Sequence, residues 1–181
     1  MSRKYKFHDP EGLYFVSFAT VYWIDVFTRE VYFNILVENL MYCIKNKGLL
    51  LYSWCIMPNH VHLIFRTLDN NPSKVLGDFK SFTSRVLFKE IQDSIIESRR
   101  EWMLNLFRDA ALKQNNASKF QLWQHDSHPI ALWSPEVIDQ KVEYTHMNPV
   151  TAGFVEEPHY WKYSSAIDFN GGKGLLDLIE F

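Results

Sequence analysis

Apolar positions recur along the chain with two periods, one near two residues and one near 3.6. The run Leu13-Tyr14-Phe15-Val16-Ser17-Phe18-Ala19 is aromatic and β-branched and predicts a strand. Thr28 is a candidate cap for the next segment, where Phe33, Leu36, Leu40 and Cys43 return on one helical face. Lys45, Lys47 and Gly48 mark its end. Leu49 to Met57 and His60 to Phe65 predict two further strands joined through Met57-Pro58-Asn59, a link short enough to require antiparallel neighbours. Ser73 caps a second helix, in which Val75, Phe79, Phe82 and Val86 form an apolar stripe while Lys74, Asp78, Ser81 and Arg85 share another face. Between 92 and 119 the pattern is weak, with Trp102, Leu106 and Phe107 as positions that would dock a helix. Phe120 to Trp123 reads as a short strand and His125 to Trp133 as irregular or edge-like. Ser134-Pro135-Glu136 opens a third helix, which turns Ile138, Val142 and Thr145 to the core and ends or kinks at Asn148-Pro149.

This order predicts an α+β fold: a ferredoxin-like antiparallel sheet of about five strands or slightly fewer, with helices near 28–47, 73–90 and 135–148 packed on one face. A doubly wound parallel sheet would need a crossover where only the Pro58-Asn59 turn is available. The 181 residues fit one domain, 1–181, with a basic N-terminal arm (1–12) and a C-terminal extension from about 156 to 181. A (β/α)₈ barrel would need about 250 residues. With 47% hydrophobic residues the chain can bury a substantial core. Two cysteines make no disulfide framework, no apolar run suggests a membrane span, and Ser2-Arg3-Lys4-Tyr5-Lys6 has no signal-peptide character, so a cytoplasmic protein is expected.

Charge changes the picture more than composition does. The net charge is −2, yet residues 1–119 carry 16 Lys or Arg against 12 Asp or Glu, and residues 120–181 carry 3 against 9. A phosphate-bearing partner would therefore meet the N-terminal two thirds, unless these are scattered solvated charges.

His60 and His62 stand two apart on a predicted strand, so both imidazoles leave the same face. They read either as a metal-binding pair or as buried, hydrogen-bonded histidines. Lys141, Tyr144 and Asn148 share one side of the third helix, which would hold Asn148 against the histidines as an oxygen ligand and Tyr144 one turn away. Tyr144 reads either as a nucleophile on phosphorus or as an aromatic core residue.

Three strings decide between these readings. Met57-Pro58-Asn59-His60-Val61-His62-Leu63-Ile64, Gly77-Asp78-Phe79-Lys80-Ser81-Phe82-Thr83-Ser84 and Tyr144-Thr145-His146-Met147-Asn148-Pro149-Val150-Thr151-Ala152-Gly153-Phe154-Val155 together resemble the IS200-like transposase family, and within it the branch of REP-associated tyrosine transposases. The similarity runs from Tyr14–Ala19 to the Trp161-Lys162-Tyr163-Ser164-Ser165-Ala166 segment.

The resemblance implies an HUH single-strand DNA endonuclease and strand transferase with the ferredoxin-like fold. Tyr144 falls at the family's nucleophile, and His60, His62 and Asn148 at its Mg²⁺ or Mn²⁺ site. The implied product is a 5′-phosphotyrosine with a free 3′ hydroxyl, and the implied partner is single-stranded or hairpin DNA of REP-like palindromic repeats. Assembly as monomer or homodimer is not fixed by the match. Arg3, Lys4 and Lys6 in the arm, Lys74, Lys80 and Arg85 on the second helix, and Lys141 are the expected DNA contacts; Trp161 and Tyr163 are candidate base platforms or packing residues. His146 is expected to pack or to support the site from behind. Two alternatives remain: a catalytically silent or domesticated DNA-hairpin-binding protein, and a replication or conjugation initiator. The second is disfavoured because Met147 and Asn148 stand where many initiators carry a lysine.

Overall fold

In the computed structural model, which describes residues 7–114 and 119–181, strand β1 (Tyr14–Ala19) pairs on one side with β3 (His60–Thr67). Strand β2 (Leu49–Ile56) lies outside β3, and a two-residue β4 (Ile130–Ala131) lies outside β1. All pairs are antiparallel, in the order β2-β3-β1-β4. The β1–β3 register sets Ser17 opposite His62 and Ala19 opposite His60. The expected arm residues Arg3, Lys4 and Lys6 lie outside the described residues.

The side-chain alternation of β3 divides the core in two. Val61, Leu63 and Phe65 face the larger cluster, with Val16, Phe18 and Trp54, beneath helices α1 (Glu30–Asn46), α2 (Pro72–Asp93) and α3 (Arg100–Lys113). Phe33, Leu36 and Leu40 of α1, Val75, Phe79 and Leu87 of α2, and Phe107 of α3 complete that layer. Ile64 faces the other way, with Phe15, Tyr52 and Leu132, against Val137, Ile138 and Val142 of helix α4 (Pro135–Thr151). Removing Phe15 or Ile64 from water contributes roughly 1.5–3 kcal/mol each.

The antiparallel α+β sheet is as expected, but its helices do not all share one face. α1 and α2 cover one side and α4 the opposite one. The reason is in β3 itself: Val61, Leu63, Ile64 and Phe65 are apolar on both faces, as in a strand covered on both sides. One layer of helices would have left Phe15 and Ile64 in water.

Two local expectations also shift. Phe120 to Trp123 contributes only an isolated bridge, Thr20 to Trp123, and its tryptophan is buried against Phe18 and Phe27 with Nε1 donating to Thr83 Oγ1 at 3.0 Å. Helix α4 continues through Pro149 to Thr151. Proline there withholds one donor, and the helix closes two residues later, with Ala152 N donating to Asn148 O and Gly153 at φ +76°. Its start is as expected: Ser134 Oγ accepts from Val137 N, with Pro135 at the first helical position.

The C-terminal segment runs along the outer edge of β2. Ile56 N donates to Tyr163 O, Ser165 N to Trp54 O and Ile179 N to Leu51 O, all at 2.8–2.9 Å. Tyr163 is stacked on Phe33 at 4.0 Å, and Trp161 Nε1 donates to Ile56 O at 3.0 Å, so both rings pack against the core. Among the described residues no helix is long and apolar enough to cross a membrane.

Candidate active site

The face of β3 that meets α4 carries His60, His62 and Ile64 at successive outward positions. Opposite them, one turn of α4 separates Tyr144 from Asn148. The side-chain amide of Asn148 reaches both histidines: Nδ2 donates to His62 Nε2 at 3.1 Å, and Oδ1 faces His60 Nε2 at 3.1 Å. The two imidazoles are 4.7 Å apart between centroids, and the Tyr144 ring stands edge-on to His62 at 5.3 Å. Phe15 floors the site, stacked on His62 at 5.5 Å and 5.9 Å from Tyr144. Tyr144 is 50% exposed, unlike the core tyrosines Tyr14 and Tyr32.

Amide oxygens stand at both ring nitrogens of His60. Asn59 Nδ2 donates to Asp25 Oδ1 at 2.8 Å, which turns Asn59 Oδ1 toward His60, and His60 Nδ1 donates to it at 2.6 Å. Asn148 Oδ1 stands at Nε2 of the same ring, so a neutral His60 has one proton for two acceptors. Both imidazoles favour the neutral form. Burial lowers the pKa of His60, against the opposing pull of Asn148 and Asp25. Burial, and then His60 and Lys141, push His62 down to about 3. Two imidazole nitrogens and an amide that meet one another form a donor set that could hold a divalent cation. Among the described residues no cluster of three His, Cys, Asp or Glu side chains could hold a metal.

The segment entering the site is held in an uncommon conformation. After β1 the chain makes a 3₁₀ turn at Val21–Trp23, in which Tyr22 and Trp23 both take left-handed backbone angles, φ 57° and 55°. For bulky residues this costs on the order of 1–2 kcal/mol each. Thr20 Oγ1 donates to Ile24 O at 2.8 Å and Asn59 Nδ2 to Trp23 O at 3.3 Å, which tie the turn down. The Trp23 ring meets His60 edge to face at 5.7 Å.

The expected DNA-contacting residues separate into groups. Lys141 lies at the site, its Nζ 5.1 Å over the Phe15 ring and 5.3 Å over Tyr144. Lys80 is engaged elsewhere: its ammonium donates to Gln124 O at 2.8 Å and Ser127 Oγ at 3.0 Å, and burial pushes its pKa down to about 8. Lys74 pairs with Asp78 and Arg85 donates to Ser81 Oγ, both on α2, across the sheet from the histidines. His146 is buried between Ser53 Oγ at 3.1 Å and Ser165 Oγ at 2.8 Å, a packing role as expected. Asp25, Trp23 and the role of Asn59 were not legible in the sequence. The position of Asn59 directly before His60 in the turn was the one available signal.

Comparison with known proteins bears on the family and the fold. The profile of the family described as "Transposase IS200 like" matches residues 13–109, which are 97 of the 181 residues and include His60 and His62 but not Tyr144 or Asn148. No curated protein matches the chain. Among solved structures, one described as "Structure of the REP associates tyrosine transposase bound to a REP hairpin" aligns over 100% of this chain and 95% of its own, with TM-score 0.62 and 15% identity. At that identity the likeness bears on the fold, and the profile bears on descent: the chain belongs to the IS200-like transposase family.

Proposed function

We propose that this protein is a metal-dependent single-strand DNA endonuclease and strand transferase, acting on hairpin-containing repeat DNA through a covalent 5′-phosphotyrosine on Tyr144. One observation carries the reading: His60, His62 and Asn148 converge on one another, with a half-exposed tyrosine one helical turn away. The structural neighbour described as bound to a REP hairpin supports the same class of DNA partner.

His60, His62 and Asn148 would hold Mn²⁺ or Mg²⁺, with Mn²⁺ better suited to two imidazoles. When bound, the ion supplies charge that draws electrons from the phosphate. The protein's own groups do the rest. Tyr144 attacks phosphorus with its phenolic oxygen; the Tyr144 O–P bond forms as the P–O3′ bond breaks. The electron pair and, in the end, one proton pass to O3′. Lys141 stands beside the tyrosine ring, where its ammonium would pair with a non-bridging phosphate oxygen. Phe15, packed under His62 and Tyr144, keeps the floor of the site apolar. Phosphotyrosine conserves the phosphoester, so a 3′ hydroxyl can reverse the step and join strands. All four residues come from one chain, so the site can be assembled without a partner's side chain.

The test is an adduct. Labelled hairpin oligonucleotide with a single-stranded flank, incubated with Mn²⁺, is expected to give a denaturation-resistant species linked through its 5′ phosphate to the Tyr144 peptide. Tyr144→Phe is expected to fold and bind hairpin without forming it. An adduct on another tyrosine would refute the assignment, and tight hairpin binding with no adduct would favour the catalytically silent, hairpin-binding reading.

A further inference from the structure

The turn at Trp23 holds an aromatic face in water beside the candidate active site. Its backbone sits at φ 55°, directly after Tyr22 at 57°, where glycine would be the relaxed choice. Burial of the indole does not account for this, because Trp23 is 56% exposed. The conformation is imposed from beneath: Trp23 N donates to Thr20 O at 3.1 Å, Thr20 N to Asn59 O at 2.9 Å, and Asn59 Nδ2 to Trp23 O at 3.3 Å. Strain maintained at the edge of a site, with a large apolar ring presented to solvent, points to a ligand for that ring.

Four rings follow one another across the site. Trp23 to His60 is 5.7 Å, His60 to His62 is 4.7 Å and His62 to Tyr144 is 5.3 Å between centroids. Trp23 and Tyr144 are the two ends, both exposed, with the imidazole pair between them. In an in-line displacement at phosphorus the attacking and leaving oxygens lie on opposite sides. A phosphate held at the imidazoles and attacked from Tyr144, on the His62 side, would expel O3′ on the His60 side, where Trp23 stands. The nucleotide on the tryptophan side is therefore the one that ends in the new 3′ hydroxyl.

We propose that Trp23 is a stacking platform for the unpaired base immediately 5′ of the cleaved bond, and that it retains the released 3′-hydroxyl strand for rejoining. The inference rests on the cleavage reading above. Stacking accepts any base, so Trp23 holds the strand without reading its sequence. Packing against one imidazole edge leaves the rest of the indole surface for the base.

Equilibrium binding of hairpin oligonucleotides, with an abasic site moved through the single-stranded flank, tests the platform independently of cutting. Trp23→Ala is expected to weaken binding about 10-fold. At one flank position the abasic site should cost no more once Trp23 is gone, whereas at every other position the losses should multiply. Trp23→Phe should restore most of the affinity, and Trp23→Gly, which suits the backbone angle, should match Trp23→Ala. Mn²⁺ affinity should be the same in all variants. In cleavage, the coupled position should be the base 5′ of the cut, and Trp23→Ala should release the 3′-hydroxyl fragment faster and lower rejoining. Multiplicative losses at every position would overturn the platform, and coupling confined to the base 3′ of the cut would overturn its polarity. Absence of any adduct in the wild type would instead remove the cleavage reading, with the binding scan still deciding for or against the platform.

Discussion

Asn59 Oδ1 lies 2.6 Å from Nδ1 of His60, where it can take the ring proton and leave Nε2 for a metal. The amide could turn either way were it not for Asp25, which accepts from Asn59 Nδ2 at 2.8 Å. Removing the amide with Asn59→Ala should lower Mn²⁺ affinity about 10- to 100-fold, the usual scale for removing an outer partner of a metal-binding histidine. Calorimetric titration with Mn²⁺ in the absence of DNA checks this. An unchanged affinity would show that His60 keeps its tautomer without help.

Lys80 was expected to contact phosphate from the sequence, but its ammonium joins α2 to the Gln124–Ser127 loop. Lys80→Met should leave the salt dependence of DNA binding unchanged. It should speed hydrogen exchange at Ser17, whose N–H donates to Ser127 O at 3.2 Å. Lys141→Met should instead reduce the salt slope by roughly one. A reduced slope in the Lys80 variant would return that residue to the DNA.

Glu97 ties the start of α1 to the loop before α3. Its carboxylate accepts from Arg29 Nε at 2.8 Å and from Arg99 N and Nε at 3.0 and 3.2 Å. Burial raises its pKa, but these donors outweigh burial and hold it at about 2, below the ordinary 4.5. A depressed carboxyl contributes stability above pH 4.5 that is lost as pH falls toward 2. Its size at neutral pH is at most roughly 3 kcal/mol, reduced by the partial exposure of both arginines. Urea unfolding from pH 7 to pH 2 should show wild type falling more steeply than Glu97→Gln across that window, from a higher plateau. Parallel curves would assign acid sensitivity to other groups.

Arg3, Lys4 and Lys6 remain expected phosphate partners. Deleting residues 1–6 should raise the dissociation constant for hairpin DNA and flatten its salt dependence, by about one unit of slope for each phosphate that the arm neutralises. Titrations at several salt concentrations measure both, and no change in either would make the arm dispensable for binding.

What the sequence disclosed and what it withheld follow from the range of the interactions. The period of two placed His60 and His62 on one face, and the helical spacing joined Tyr144 to Asn148, because both depend on local geometry alone. The side of the sheet taken by α4 is a tertiary choice; it could have been read from the apolar residues on both faces of β3, but the helix pattern alone is silent on it. Trp23 and Asp25 were hidden because the β1–β3 register brings their turn to Asn59, 34 to 36 residues later in the chain. The hydrogen bonds that Lys80 makes to the 124–127 loop were hidden for the same reason, since its partners lie 44 to 47 residues later in the chain.

The tail that runs along β2 leaves the two borders of the sheet unequal. On the β2 side, Leu51, Trp54 and Ile56 already have their main-chain partners in Ile179, Ser165 and Tyr163. On the β4 side, the described residues end in a strand of two, Ile130 and Ala131, both exposed. A foreign strand adding to the sheet would have to displace the tail to enter at β2, whereas at β4 it finds only two residues to template it. Fibril-like growth through strand addition is thereby obstructed at both borders. The Phe181 ring, 5.0 Å from Tyr52, helps to hold the protected border closed.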